Sequence, residues 1–381
     1  MSNPFERIVL SPRVLAVCAL SSWAALSGCG ETNETTPATA TEAAPGEGGS
    51  ASTAKAPAES SEGTESADPS AQDSAQGGYA SNGGNLFKGP QPWTKDVSNL
   101  PKNGHSDDII QWLGDHGGWG TPRLRIEFSI KLLEADSSTP FQRFEPTEDF
   151  YEPDCDNIPF PVPSGGALED EDGYECTTDG DCHLLVIHKP TNKLYEMWRA
   201  NMSGGHFYGG CATVWDLNKS YNRGRGQGCT SADAGGFPVS AMVFTADEVA
   251  KGSIDHAIRF ILPNARIRKG VYVWPATHAS NALKGGDNAP PYGVRLRLRQ
   301  DFPLESLPSD GARVIARALQ RYGMILSDGG RVPLTAANDQ FTAHKWEDVG
   351  VGPDSVGGIQ VSDMEVVDMG EPIKNDDCER N

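Results

Sequence analysis

The sequence predicts a mainly β fold, a two-sheet antiparallel sandwich of jelly-roll or lectin type with two or three short helices. Three observations support this prediction. Residues 123–133 alternate apolar and polar side chains, which is the period of a strand with one buried face. Several further strand-like segments follow, separated by turn residues, whereas helical signals are few. The sequence shows no βαβ rhythm and no internal repeat.

In chain order, the first predicted element is a short helix, which Ser106 and the two acidic residues after it cap before an apolar run. The strand 123–133 comes next. An acidic excursion rich in Pro and Gly then occupies residues 136–182. The strands predicted beyond it are 183–188, 193–199, 212–217, 256–262, 271–274 and 294–299.

Two more helices are predicted in the second half of the chain. Residues 245–248 have the pattern of a capping box, which opens a short helix. Residues 310–322 place apolar side chains on one face and end at Gly323, as a longer helix does. The strand 324–326 follows it and turns at residues 327–330.

The N-terminus has the features of an export signal, residues 1–28. A basic segment precedes the apolar run 14–26, which is too short to span a bilayer. The run ends in Leu-Ser-Gly-Cys, residues 26–29, which resembles the lipobox of bacterial lipoproteins. The resemblance implies that Cys29 is lipidated and anchors the protein to a membrane of the cell envelope, with Gly30 compatible with the outer membrane. The alternative is an ordinary signal peptide with an incidental cysteine.

The remaining chain divides into a linker, residues 29–84, and a single folded domain, residues 85–381. Residues 31–84 hold nine acidic residues, one lysine and almost no large apolar side chain. Such a segment cannot bury enough surface to offset its ordering entropy, so we expect disorder there. The whole chain has a formal net charge of −20, which argues against nucleic acid as a partner.

The cysteines predict a disulfide-stabilised domain. Six of the eight lie in the body: Cys155, Cys176, Cys182, Cys211, Cys229 and Cys378. An even number in an exported domain predicts three disulfides, with the pairing left open. We expect Cys378 to tie the C-terminal tail to the body.

No metal or other cofactor is predicted with the possible exception of calcium. The absence of a Cys-x-x-Cys pattern disfavours zinc. The acidic stretches 170–173 and 179–181 suggest calcium, but neither completes the twelve-residue loop that binds it. A solvated, charged loop is therefore the preferred interpretation.

The first set of candidate catalytic groups consists of carboxylates. A glycine-flanked segment presents Thr230, Ser231 and Asp233 in a loop whose backbone can aim them. Glu196 shares a strand face with leucine and tryptophan, and Asp216 ends the following strand. Burial beside tryptophan raises the pKa of a carboxyl, and a glycosidase needs one such acid beside an ionised carboxylate. The alternative is that each carboxylate meets water or an arginine at a sheet edge.

The second candidate set combines cationic and aromatic residues: His256, Arg259, Trp274, His278, Tyr292 and Arg295. Arginine or histidine can neutralise a uronate, and tyrosine or histidine can move a proton, so this set fits β-elimination from a uronic-acid polymer. The alternative is that the arginines line the wet side of a sheet.

Five segments together resemble a group of uncharacterised secreted bacterial proteins: residues 229–234, 256–260, 275–278, 292–298 and 322–330. The resemblance spans roughly residues 90–345. It implies one continuous domain and no particular activity.

Three classes of function are compatible with these patterns. The leading one is a surface-tethered carbohydrate-active protein that hydrolyses or β-eliminates an extracellular polysaccharide. Its catalytic candidates are Asp233, Glu196, Asp216, His256 and His278, and its substrate-binding candidates are Thr230, Ser231, Arg259, Trp274, Tyr292 and Arg295. The second is a non-catalytic glycan-binding lipoprotein that stacks sugars on Trp198, Trp215, Trp274 and Tyr292. The third is a structural envelope protein without a ligand.

Overall fold

The structure, a computed structural model, describes residues 86–178 and 180–380. The predicted signal peptide, Cys29 and the predicted linker to residue 84 lie outside these residues. The described α-helices are α1 (Ser106–Asp115), α2 (Ala246–Lys251) and α3 (Asp310–Arg321). No helix in this part of the chain has the length and apolarity needed to cross a membrane.

The strands of the first half are β1 (Ile126–Ile130), β2 (Leu132–Ala135), β3 (Phe141–Gln142), β4 (Glu145–Pro146), β5 (Phe160–Pro161), β6 (Leu184–His188), β7 (Lys193–Trp198), β8 (Asn201–Ser203), β9 (His206–Gly209), β10 (Cys211–Asp216) and β11 (Asn222–Gln227). Those of the second half are β12 (Ile258–Leu262), β13 (Val271–Tyr272), β14 (Arg295–Leu298), β15 (Met324–Gly329), β16 (Leu334–Ala337), β17 (Met364–Val366), β18 (Ile373–Lys374) and β19 (Glu379–Arg380).

The fold class is confirmed: the protein is mainly β, with several sheets and three α-helices in the described residues. A six-stranded sheet has the order β1-β16-β12-β15-β14-β17, and a four-stranded sheet has the order β10-β7-β6-β2. Both sheets are mixed, because β1 and β16, β12 and β15, and β2 and β6 pair in parallel where alternation predicted antiparallel neighbours. Because β12 and β15 are parallel, their carboxyl ends at Leu262 and Gly329 lie at one edge of the sheet.

The helices form where their capping residues predict them. Thr245 accepts a hydrogen bond from the Glu248 amide, and the Glu248 carboxylate accepts one from the Thr245 amide, which completes the capping box of α2. The Ser309 hydroxyl caps α3 in the same way, and α3 buries a face that includes Ile315 and Leu319. These contacts confirm both predicted helices of the second half.

The four-stranded sheet is buried on both faces. One face packs against Phe144 and Phe160, which belong to the excursion 136–182. The other face packs through Leu185 against Val239 and neighbouring residues of the segment that precedes α2. The excursion therefore supplies core residues, although its composition resembles that of a solvated loop.

The predicted disulfides are confirmed. Their pairs are Cys155–Cys211, Cys176–Cys182 and Cys229–Cys378. The last pair joins residues 149 positions apart and ties the C-terminal tail to the glycine-flanked loop, as expected for Cys378.

Candidate functional site

A pocket of about 220 Å³ opens at the edge of the six-stranded sheet where the parallel strands β12 and β15 end. Asn264 follows β12, and Asp328 and Gly329 end β15. The opposite walls come from the loops that contain residues 230–234 and 278–282. The pocket is thus built at a place where parallel pairing brings distant loops together.

The glycine-flanked loop forms one wall of the pocket, and its own cysteine, glycine and serine residues hold it in place. Cys229 binds it to the C-terminal tail. Gly236 has a φ of +85°, and a Cβ atom there would collide with Thr277 and with the Cys229 carbonyl. The Ser231 hydroxyl donates to the Phe237 carbonyl at 2.6 Å and accepts from the Asp233 amide at 3.0 Å. Ser231 lines the pocket, but its hydroxyl is occupied in shaping the loop.

A buried ion cluster lies under this wall. Asp233 is fully buried, and its Oδ1 lies 3.0 Å from Nη2 of Arg259. The same guanidinium nitrogen lies 3.5 Å from Oδ2 of Asp328. Nη1 of Arg259 donates to the Thr335 hydroxyl at 3.0 Å, which in turn donates to Glu127 at 3.2 Å. One arginine therefore serves two aspartates, so the charges of the trio do not balance when both carboxyls are ionised.

Asp328 is the member of the cluster that reaches the pocket. Burial and the neighbouring Asp233 carboxylate raise its pKa to about 8, although Arg259 acts in the opposite direction. Its carboxyl accepts hydrogen bonds from the Ala234 amide at 3.1 Å and from the Tyr292 hydroxyl at 3.5 Å. The side chain is 19% exposed, on the pocket side of the ion cluster. Asp328 can therefore hold a proton at neutral pH next to a cavity.

His278 lines the same pocket and supplies a proton acceptor where Asp328 supplies a donor. Its Nδ1 lies 2.8 Å from the Ala234 carbonyl, so Nδ1 carries the proton and donates. Burial lowers the pKa of the imidazole below its usual value, against the effect of that hydrogen bond. The neutral ring then presents Nε2 as a proton acceptor, and none of the described residues donates to it. The pocket thus contains a proton donor and a proton acceptor.

Aromatic side chains form the outer wall. The indole nitrogen of Trp198 donates to Oδ1 of Asp181 at 2.9 Å, and both residues line the pocket. Tyr151 lines it as well and is 45% exposed. A carboxyl group and two partly exposed rings therefore border the opening, which suits the polar edge and apolar face of a sugar ring.

A second buried ion pair, between His183 and Glu169, holds the glycine-flanked loop in place. Nδ1 of His183 lies 2.6 Å from Glu169, and Nε2 lies 2.9 Å from the Ala232 carbonyl. Burial opposes a charge on this imidazole, but Glu169 raises its pKa to about 10. Since both ring nitrogens face acceptors, His183 is an imidazolium that donates twice. It holds the main chain of a pocket-lining residue in place.

The structure brings Thr230, Ser231, His278 and Tyr292 together in the pocket, with Asp233 and Arg259 beneath them. It does not bring the other predicted residues to this place. Glu196 is fully buried, and its carboxylate accepts from the Trp215 indole at 3.1 Å and the Ser240 amide at 2.8 Å. Burial raises the pKa of Glu196 to about 7, as its surroundings predicted, but the pocket lies elsewhere.

Asp216 cannot pair with Glu196, contrary to the expected carboxylate couple. Cross-strand pairing places Glu196 opposite Thr213 and Asp216 opposite Lys193. Because side chains alternate between the faces of a strand, the two carboxyls point to opposite sides of the sheet. Asp216 instead binds the amide of Asn218 at 2.9 Å, a contact that lowers its pKa.

His256, Arg295 and Trp274 also lie away from the pocket. His256 is fully buried, with Nε2 3.3 Å from Glu248. Arg295 donates to the Pro92 carbonyl at 2.7 Å, and burial lowers its pKa to about 9. The Trp274 indole donates to a main-chain carbonyl at 2.7 Å. Each residue has a local partner, so these contacts explain its position without a ligand.

Sequence reasoning missed Asp328 and Asp181 as site residues. Asp328 stands two residues after the apolar segment 324–326 and directly before two glycines, a pattern that predicts a turn. A carboxylate at the carboxyl end of a buried strand is a usable signal, because such ends border clefts when neighbouring strands are parallel. Asp181 had no such signal in its acidic loop.

The acidic stretches considered for calcium have other partners. Glu171 accepts hydrogen bonds from the amides of Thr177 and Thr178 at 2.7 and 3.0 Å. The sulfurs near it belong to the Cys176–Cys182 disulfide, so they are not thiolate ligands. Asp179 lies outside the described residues, and calcium at this loop stays a prediction.

The fold and the pocket define a mainly β, disulfide-stabilised protein with a polar pocket at a sheet edge. No family model, no curated protein and no solved structure matches the chain. Its function has to be inferred from the pocket itself.

Proposed function

We propose that the protein is a surface-tethered carbohydrate-active protein that hydrolyses an extracellular polysaccharide in the pocket of Asp328, His278 and Asp181. The observation that carries this proposal is the juxtaposition of Asp328, whose pKa is raised to about 8, with a neutral histidine in one small cavity. A proton donor and a proton acceptor whose environments separate their pKa values are the elements of acid–base catalysis.

Each group has a defined role in this hydrolysis. Asp328 donates its proton to the glycosidic oxygen while the bond from that oxygen to the anomeric carbon breaks. A water molecule adds to the anomeric carbon and gives its proton to Nε2 of His278. The Asp181 carboxylate, oriented by Trp198, stabilises the positive charge that develops on the ring. The His278 imidazolium then returns its proton to the Asp328 carboxylate through a second water molecule, which restores both groups.

Hydrolysis fits the pocket better than β-elimination. A uronate needs a cation to neutralise its carboxylate, but among the described residues that line the pocket none is Lys or Arg. The buried Arg259 is already engaged by Asp233 and Asp328. We therefore infer a neutral sugar at the site of cleavage.

The binding-module alternative has less support from the positions of the aromatic residues. Trp215 is fully buried and bonded to Glu196, and Trp274 is held by a main-chain carbonyl. Only Trp198 and Tyr292 of the four proposed stacking residues line the pocket. A flat strip of sugar-binding rings would need all four on one surface.

The test is to incubate the purified protein with a panel of neutral and acidic polysaccharides. We expect new reducing ends from a neutral polymer and no absorbance from unsaturated uronates. Unsaturated products would show that the reaction is β-elimination and would contradict hydrolysis. Retarded migration in glycan-loaded gels, without any product, would establish the binding module instead.

The tether is the second part of the proposal and rests on the lipobox alone. Cys29→Ser removes the thiol that accepts the lipid. A signal peptide that is cleaved off does not by itself hold a protein at the membrane. We expect the variant protein in the soluble fraction after cell disruption, with Cys18→Ser as the matched control that stays with membranes. Unchanged membrane association of Cys29→Ser would refute the anchor.

A further inference from the structure

A second pocket, of about 380 Å³, adjoins the catalytic pocket. Three separate stretches of chain each place consecutive or nearly consecutive residues in the two pockets. The pairs, with the residue of the catalytic pocket first, are Tyr151 and Asp149, Asp181 and Gly180, and Trp198 and Arg199. Because three stretches agree, the two pockets share one wall, which we call the ridge and define as Asp181, Trp198 and Arg199.

The ridge is a tightly held structure. The Arg199 amide donates to the Asp181 carbonyl at 2.9 Å, and the Trp198 indole donates to the Asp181 carboxylate. Arg199 has a φ of +55°, in the left-handed region that residues with a Cβ rarely adopt. Its guanidinium carbon lies 4.8 Å from the centre of the Trp198 ring, on the side of the second pocket. The strained backbone thus places a cationic side chain beside the indole.

The second pocket offers groups that bind hydroxyls. Thr147, Thr178 and Asn201 line it with the ion pair formed by Arg199 and Asp149, whose atoms are 3.0 Å apart. The Arg199 side chain is 54% exposed, so its guanidinium has donors left for a ligand. Paired charges and neutral polar groups suit an uncharged polyol better than an anion.

We propose that the second pocket is a sugar subsite, in which the ring next to the scissile bond of a neutral polysaccharide binds against the ridge. This inference rests on the proposed function and adds that the substrate is bound through at least two consecutive rings. Arg199 then selects for length without taking part in the chemistry.

The test uses calorimetry with the full protein carrying Asp328→Asn, which slows turnover so that binding can be measured. The probes are glucose and N-acetylglucosamine together with their β-linked oligomers, up to the hexasaccharides from cellulose, β-1,3-glucan and chitin. We expect the affinity to rise between the monosaccharide and the short oligomers. Adding Arg199→Asn should weaken oligomer binding about tenfold and leave monosaccharide binding unchanged. Asparagine tolerates a left-handed φ, so the ridge backbone is preserved.

Arg321 provides a matched control. It is 58% exposed, lies 2.8 Å from Asp96, and its guanidinium carbon stacks 5.0 Å from the Tyr322 ring. Arg321→Asn should leave all affinities unchanged. Oligomers that bind no better than monosaccharides, or an Arg199→Asn effect equal for all lengths, would refute the subsite alone. Absence of binding to every probe would refute the proposed function and the subsite together.

Discussion

Two buried arginines of one sheet, Arg259 on β12 and Arg295 on β14, have very different surroundings. Both pair in register with Ile325 of the strand between them. Arg259 contacts Asp233 and the pocket residue Asp328. Arg295 instead donates to main-chain carbonyls near the N-terminus of the domain, and none of the carboxylates in the described part of the chain forms an ion pair with it.

The difference between the two arginines shows under which conditions a buried charge indicates a functional site. Arg295 replaces the hydration of its guanidinium with carbonyl groups and so fastens one segment to the sheet. Arg259 contacts two carboxyl groups, and one of them, Asp328, borders a cavity and has a pKa raised to about 8 by burial and by Asp233. Burial alone does not separate the two arginines, because both are nearly inaccessible. The ionisable partner and the adjacent cavity do separate them.

The largest expected effect is on catalysis. Asp328→Asn keeps the shape of the side chain and removes the acid, so we expect kcat/KM to fall by about 10²- to 10⁴-fold. Asp216→Asn is the matched control, since Asp216 lies on another sheet face away from the pocket. Its kcat/KM should equal that of the wild type. Equal activity of Asp328→Asn and the wild type would remove Asp328 from the mechanism.

The next largest effect separates the two arginines by stability. Arg259→Met leaves Asp233 buried without its cation, which should lower the free energy of unfolding by about 3–5 kcal/mol. Adding Asp233→Asn should restore part of this loss. Arg295→Met should cost less, because it removes an unpaired buried charge along with its hydrogen bonds to carbonyls. Urea denaturation measures all three, and a greater loss for Arg295→Met would invert the comparison.

A smaller effect concerns the pH dependence of stability. The pKa of Asp328 is higher in the folded protein, about 8, than its ordinary value of 3.8. Its contribution to stability is therefore complete below pH 3.8 and is lost as the pH rises through 8. The free energy of unfolding of the wild type should fall relative to that of Asp328→Asn across this interval. The difference in the free energy of unfolding between the wild type and Asp216→Asn should stay constant across this interval, since the pKa of Asp216 is lowered.

The sequence predicted the strands, the helices and the disulfide framework because these depend on local periodicity, capping and composition. It also identified the loop of Thr230 and Ser231, together with His278 and Tyr292, which the structure places in one pocket. The order of strands in a sheet has no local signal. The parallel pairing that brings Asp328 to this loop was therefore not foreseeable.

The same reasoning explains the carboxylates that do not converge. Alternation correctly placed Glu196 on a face with tryptophan, and its raised pKa follows from that burial. Which face meets a cavity depends on what covers the sheet, and here the segment before α2 covers it. The alternation along a strand indicates which side chains are buried, but not which element packs against them.

The central claim is that Asp328 is protonated at neutral pH in an accessible pocket. Carbon-detected NMR of the aspartate carboxyls, with the Asp328 signal assigned by its loss in Asp328→Asn, measures this directly. A titration midpoint of about 8 is the predicted result. A midpoint near the ordinary 3.8 would show an ionised carboxylate at neutral pH and would contradict the proposed acid.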